Sequence, residues 1–209
     1  MQITLLATVT IAYFIGAFCW PIWRSWQRYR IFPVVFLREA APLQRAAGAV
    51  FFLLFLGLNA MVVLAAAIGP EQVGIHPAAS WVPGLGWPLL LTGVVLTVVA
   101  QRQMGRSFRI GIDDRPTELV YRGLFRLCRN PIFTGLLLVV GGITLFCPAW
   151  WTIGGFLATA AALRIQVHFE EQHLMRLHGT AYLAYASHVG RFFPFVGRLN
   201  PAVIQPGRS

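Results

Sequence analysis

The sequence predicts an all-α membrane protein with five transmembrane helices, and its composition, its long apolar runs and its arginine placement support that prediction. Of 209 residues, 57% are hydrophobic and only 11% are charged, whereas a soluble domain carries roughly 25% charged residues. Five runs approach the length of about 20 apolar residues that a helix needs to cross a bilayer. The length suits one compact bundle, so we expect a single domain over residues 1–209.

The five apolar runs have recognisable starts and ends. The first lacks the charged start and the cleavage site of a signal peptide, so we expect it to stay as a span. Asn130 and Pro131 mark the start of the fourth, because Asn favours the N-cap and Pro the first helical position. The predicted spans are residues 3–23, 46–69, 84–101, 131–147 and 149–167.

The basic residues predict the orientation of the chain. All seventeen are arginines, and they lie in three groups, at 24–45, at 102–129 and from 164 onward. Cytoplasmic loops carry the excess of basic residues, so we expect the N-terminus outside and the C-terminus inside, in a bacterial inner membrane. The net charge of +10 then reflects these loops, and we expect no nucleic-acid partner.

Two polar regions meet at the predicted cytoplasmic face. Residues 102–130 combine arginines with three acids, and residues 168–194 interleave Glu and His with aromatic residues. We expect 168–194 to form a helix that lies against this face, is broken near Gly179, and closes a pocket over the first region. Both signs of charge and aromatic side chains suit a zwitterionic ligand.

Individual residues in these regions suggest binding roles beside ordinary structural ones. The helix that starts at Asn130 offers unpaired N–H groups to an anion, or is simply a capped helix. Arg164, His168 and Glu171 share one helical face, which also fits a solvated Arg–Glu pair. The histidine spacing reproduces no standard metal motif, so we expect no metal site.

Two blocks of residues in the second half of the chain resemble a known family. The first block is Gly105-Arg106-Ser107-Phe108, Glu118-Leu119-Val120, Gly123-Leu124-Phe125 and Arg129-Asn130-Pro131-Ile132-Phe133 with Gly135. The second is Glu170-Glu171, Leu174, Gly179, Tyr182, Tyr185, Val189, Arg191 and Pro194. Over about residues 100–195 they resemble the membrane-embedded isoprenylcysteine carboxyl methyltransferases, which are related to phospholipid methyltransferases.

This resemblance implies an S-adenosylmethionine site at the cytoplasmic face. By position, the residues that would line it are Thr117, Glu118, Leu119, Val120, Phe125, Asn130, Pro131, Ile132, Phe133 and Glu170. The chain departs from the family pattern where Asn130 replaces a His and where Phe125 and Phe133 replace Tyr. The family's substrate-contacting Arg falls on Gln166, two residues from Arg164.

The implied reaction is methyl transfer to an amphiphilic, lipid-like or prenylated acceptor, with carboxylate O-methylation of an isoprenylcysteine-like substrate favoured. A carboxylate nucleophile needs no general base, only a cation to orient it, for which Arg164, Arg129 and Arg191 are candidates. An amine or thiol acceptor would need a base such as His168 or Glu171. Membrane lipids are the other expected partners, and the oligomeric state stays open.

Three other functions remain open from the sequence. A phospholipid or small-thiol methyltransferase could share this architecture. An NADPH-dependent membrane reductase is a further alternative, because the C-terminal part of sterol reductases resembles this arrangement. A non-catalytic membrane scaffold is the last.

Overall fold

A computed structural model describes residues 2–30, 42–76, 81–105 and 119–200. Within these ranges the chain is helical, with one isolated bridge between Cys128 and Gly190 and no strand. The α-helices are α1 (Gln2–Phe14), α2 (Trp20–Tyr29), α3 (Pro42–Ile68), α4 (Val82–Met104), α5 (Pro131–Phe146), α6 (Trp150–His178) and α7 (Thr180–His188). A π-helical stretch, Ile15–Cys19, joins α1 to α2, and 3₁₀ turns lie at Glu71–Val73 and Gly123–Arg126.

The helices confirm that this is an all-α chain built from membrane-length segments. Gln2–Gln27, Pro42–Ile68 and Gly84–Met104 are long and apolar enough to cross a membrane, and Pro131–Phe146 is a shorter apolar helix. Each overlaps a predicted span. The number of five spans and their orientation stay predictions.

The prediction of a separate helix starting at residue 168 and lying against the cytoplasmic face was wrong. Residues 168–178 instead continue α6, which runs without a break from Trp150 to His178. No Gly or Pro lies between Phe156 and His178, so nothing in that stretch interrupts the helix. The predicted break near Gly179 is confirmed, because Gly179 adopts φ +52° and separates α6 from α7.

A side chain of α4 supports the irregular first helix. Pro21 has no N–H to donate to the carbonyls of the preceding turn, and the helix widens to π geometry just before it. Gln101 Nε2 donates a hydrogen bond of 2.8 Å to Ala17 O in this stretch. A polar residue of α4 thus satisfies a carbonyl inside an apolar helix.

Helices α4 and α5 approach closely because small residues line their contact. A Cβ atom added at Gly93 would lie 2.5 Å from Gly135 O, and one added at Gly142 would lie 2.8 Å from Leu90 Cβ. Small residues are the usual means by which membrane helices bring their backbones together. This pairing holds α5, and so its first turn, in a fixed place against α4.

Candidate active site

The residue at the centre of the site is Arg129, which immediately precedes α5. Its side chain is 1% exposed, and hydrogen bonds occupy all five of its N–H donors. Nε and Nη2 donate to Glu171 Oε1 at 3.1 and 2.6 Å. The remaining donors bind the carbonyls of Ala186, Val189 and Gly197. One guanidinium therefore joins the start of α5 to α6, α7 and the chain beyond α7.

Glu171 on α6 is held between two arginines. Arg191 donates through Nε to Oε1 at 3.1 Å and through Nη2 to Oε2 at 2.6 Å. Glu171 is buried and its side chain is 8% exposed. Two cations and four charge-assisted hydrogen bonds offset the cost of burying this carboxylate.

The chain after α7 docks on the start of α5. We call residues 189–198 the C-terminal turn. The amide of Arg129 donates to Gly190 O at 2.8 Å, and the amide of Asn130 donates to Arg191 O at 3.1 Å. Thr134 Oγ1 donates to Phe192 O at 2.8 Å. The two polar regions predicted to converge, at least over their described residues, are therefore in contact.

The start of α5 agrees with the sequence in position but not in the role of Asn130. The helix begins at Pro131, as predicted, yet the Asn130 side chain makes no capping hydrogen bond. Its Nδ2 donates instead to Arg191 O at 3.1 Å. Asn130 is therefore the N-cap residue by position, as predicted, but its side chain binds the C-terminal turn and not the N–H groups of α5.

Tyr185 of α7 closes another side of the same region. Its hydroxyl donates to Phe125 O at 2.6 Å, and Phe125 is itself buried. Burial raises the pKa of Tyr185 above its ordinary value of 10.0, against the lowering influence of the Arg129 charge. Burial and the negative charge of Glu171 also raise the pKa of Tyr182. Both phenols stay protonated near neutral pH.

The structure describes most of the predicted site residues. Leu119, Val120, Ile132, Phe133 and Glu170 are half-buried, whereas Phe125, Asn130 and Pro131 are buried. Thr117 and Glu118 lie outside the described residues. The Arg129–Glu171 hydrogen bonds hold the chain before α5 beside this part of α6. Glu170 is the residue before Glu171 in the same helix.

The three predicted catalytic residues fall in different environments. Arg129 is buried and fully bonded within the chain, as described above. Gln166 is 7% exposed, whereas Arg164 is exposed. Two residues apart on a helix means about 200° of rotation. Arg164 and Gln166 therefore face different surroundings, one outside the bundle and one inside.

Sequence reasoning missed two structural contributors to this region. Gln103 Oε1 at the end of α4 accepts a hydrogen bond of 2.8 Å from the Leu124 amide. Gly123 adopts φ +60°, and a side chain there would run into that of Gln103. A glycine such as Gly123 can mark a turn, but a Gln at the end of an apolar helix carries no pattern that reveals its partner.

Comparison with known proteins bears on the same stretch of chain. The model of the phospholipid methyltransferase family matches residues 81–181. Over 120 residues the chain is 28% identical to "Protein-S-isoprenylcysteine O-methyltransferase B" of Arabidopsis thaliana. The aligned region is 56% of this chain and 61% of that protein. The A form of that plant protein is 29% identical over 120 residues, with the same shares of the two chains.

The chain is therefore similar to phospholipid methyltransferases and to isoprenylcysteine O-methyltransferases over about half of its length. A "Probable protein-S-isoprenylcysteine O-methyltransferase" of Oryza sativa subsp. indica is also similar, 29% identical over 117 residues, 54% of this chain and 61% of that protein. The chain thus spans about 61% of the length of the curated relatives it matches. The region matched by the phospholipid methyltransferase model includes Arg129 and the Glu170-Glu171 pair.

Proposed function

We propose that this chain transfers a methyl group from S-adenosylmethionine to an amphiphilic acceptor, with the carboxylate of an isoprenylcysteine-like molecule favoured. One observation carries the proposal. The region that matches the methyltransferase family contains both sides of the Arg129–Glu171 contact. The relatives' printed names support O-methylation, and this chain's own activity and acceptor are part of the proposal.

We further propose five spans with the N-terminus outside and the C-terminus inside. In that arrangement α6 contributes the fifth span through its N-terminal part, and its C-terminal part projects into the cytoplasm. The arginine distribution supports this orientation. The relatives reported above are plant proteins, so they give the bacterial inner membrane no support.

The residues around the start of α5 fit S-adenosylmethionine. This cofactor carries a sulfonium, an ammonium and a carboxylate, and so needs an acid, an anion site and apolar walls. Half-buried Glu170 offers the acid, and half-buried Ile132 and Phe133 offer apolar surface. The first turn of α5 has no side-chain cap from Asn130, which leaves its N–H groups suited to a carboxylate. Leu119, Val120, Phe125, Thr117 and Glu118 complete the proposed lining.

Bound S-adenosylmethionine supplies a methyl group attached to a good leaving group. The chain then has to hold the acceptor in line with that methyl group and keep water away, which accounts for most of the acceleration that such a site can provide. Because Arg129 and Arg191 are already bonded to Glu171, we assign them to positioning. Arg164 remains the proposed cation for an acceptor carboxylate, and Gln166 a neutral contact.

Glu171 is unsuited to act as a general base. Both carboxylate oxygens accept hydrogen bonds from arginines, so neither is positioned to take a proton from an acceptor. His168 is exposed and hydrogen-bonded to Gln172, so it is the base that the chain could offer to an amine. This supports a carboxylate acceptor, which needs no base.

A phospholipid amine is the second candidate acceptor. The matching family model is described as phospholipid methyltransferase, and Gln166 brings no charge to the position where the resemblance expects Arg. An amine acceptor would not need a cation there.

Calorimetry on the detergent-purified full chain tests the proposed cofactor. We expect S-adenosylhomocysteine to release or absorb heat with saturation, and NADPH to give none. Saturable NADPH binding without S-adenosylhomocysteine binding would replace the proposal with the reductase. If neither ligand gives a heat of binding, and cooperative thermal unfolding shows that the protein is folded, the result would favour a scaffold.

A further inference from the structure

The tip of the C-terminal turn exposes apolar side chains. Phe193, Phe195 and Val196 are 55%, 75% and 63% exposed, and the exposed Pro194 lies between them. Scattered surface hydrophobic residues are ordinary, but adjacent ones on a short tip form a patch. Exposure of this patch to water is unfavourable, so an apolar surrounding would stabilise it.

The backbone of the tip is held in a costly conformation. Phe195 has φ +68°, the left-handed region that bulky residues rarely adopt. Gly190 makes the turn possible, because a Cβ at that position would overlap Phe193 O. The left-handed backbone at Phe195 therefore costs conformational free energy, although its ring is exposed and gains nothing from burial within the described chain.

Hydrogen bonds fix the tip relative to the first turn of α5. Thr134 on α5 donates to Phe192 O, the residue before the tip. Arg129 Nη2 donates to Gly197 O, the residue after it, at 3.1 Å. Because α5 is an apolar helix that begins at Pro131, the tip stands at the level where that helix leaves the polar region.

The surroundings of the tip are basic. The Arg198 guanidinium carbon lies 4.8 Å from the centre of the Phe195 ring. Arg126, which precedes α5 in the chain, is also exposed. In residues 119–200 the acidic side chains are Glu170 and Glu171, and Glu171 is already paired. Aromatic rings beside arginine are typical of the interface of a bilayer with anionic headgroups.

We propose that the tip Phe193–Val196 inserts into the boundary between headgroups and acyl chains of the protein's own anionic bilayer. The rings of Phe193 and Phe195 enter the apolar layer, and Arg198 stays with the phosphates. The insertion would hold the C-terminal turn, and through Arg129 the start of α5, at a fixed depth. The occupant is lipid, and neither a soluble partner nor a second copy of the chain.

Spin-label accessibility in nanodiscs of mixed neutral and anionic phospholipid tests this insertion. The full chain carries Phe195→Cys in a Cys19→Ser background, and power saturation compares collisions with oxygen and with a water-soluble nickel chelate. Thr180→Cys is the matched control, because it is exposed and lies beyond His178, the last residue of α6, which is about 16 Å along the helix from Val167. We expect the label at 195 to favour oxygen several-fold more than the label at 180.

Two results would overturn the proposal. One is preferential collision of the label at 195 with the nickel chelate, as expected of a tip in water. The other is low collision rates with both reagents, as expected of a tip buried by protein. Because the backbone at Phe195 is left-handed, Phe193→Cys provides a second position in ordinary backbone and has to give the same oxygen preference. The readout needs no methyl transfer, so it can fail while the proposed function stands.

Discussion

Arg129 and Glu171 are 42 residues apart in the chain, and their side chains meet at 2.6 Å between Nη2 and Oε1. The contact joins the chain just before α5 to the last third of α6. Arg191 binds the same carboxylate. These contacts fix this part of α6, and with it Glu170, relative to the start of α5.

Substitution of Arg129 should destabilise the fold. Arg129→Ala would leave a buried carboxylate with one partner and three carbonyls without their donor, at a cost of about 3–5 kcal/mol. Arg129→Lys keeps the charge but offers three donors in place of five, so it should recover only part of the loss. Thermal unfolding in detergent measures both. The exposed Arg126→Ala is the control, and an unchanged Tm in Arg129→Lys would contradict the five-donor arrangement.

Substitutions of Glu170 and Glu171 should affect different properties, cofactor affinity for the first and thermal stability for the second. Glu170→Gln should reduce S-adenosylhomocysteine affinity at least about tenfold, a loss of about 1.4 kcal/mol, and should lower Tm less than Glu171→Gln does. Glu171→Gln should lower Tm clearly, because it removes the charge between two arginines. Calorimetry and thermal unfolding on the same preparations distinguish the two. Equal affinity in Glu170→Gln and the parent chain would remove Glu170 from the cofactor site.

The close approach of α4 and α5 should tolerate no side chain at Gly135. A Cβ there would lie 2.7 Å from Gly93 O and closer still to Thr97 Oγ1, so Gly135→Ala should destabilise by about 1–3 kcal/mol through overpacking. Gly154→Ala on α6 is the control, because nothing lies within 4 Å of its added Cβ. Reversible unfolding in mixed micelles compares them, and equal stability would show that the helices are further apart.

Alkaline pH should weaken the contact between α7 and Phe125. The folded pKa of Tyr185 is raised above 10.0, so its contribution to stability is complete below about pH 10 and is lost as pH rises toward the folded pKa. Ionisation also removes the donor that binds Phe125 O. Tyr185→Phe should reduce the fall in Tm between pH 9 and 11, both about one unit from the ordinary pKa. A fall as steep as that of the parent chain would contradict this role.

Much of the fold was predictable because apolar runs and helix punctuation are local signals. Pro131 fixed the start of α5, and Gly179 ended α6. The continuation of α6 beyond residue 167 was not foreseen, since the change from apolar to polar composition suggested a boundary where no helix breaker exists. Composition reports the solvent around a helix, and does not by itself report where the helix ends.

The site was predictable in its location and less so in its bonds. The resemblance drew attention to Arg129, Asn130 and Glu170. It did not reveal that Arg129 binds the backbone of Ala186, Val189 and Gly197, because any residue can supply a carbonyl and none leaves a sequence pattern. For the same reason the sequence identified Asn130 as the N-cap position of α5 but did not reveal that its side chain donates to Arg191 O.

The most direct test of the account follows a labelled methyl group. Membranes containing the full chain are incubated with methyl-labelled S-adenosylmethionine and an S-prenylcysteine acceptor with a free carboxylate, and the lipid extract is then treated with alkali. A methyl ester is cleaved and releases volatile labelled methanol, whereas an N-methyl group stays with the lipid. The account predicts acceptor-dependent, alkali-labile label that is lost in Glu170→Gln membranes. Label that resists alkali would contradict the carboxylate acceptor, and the absence of any transferred label would contradict methyl transfer itself.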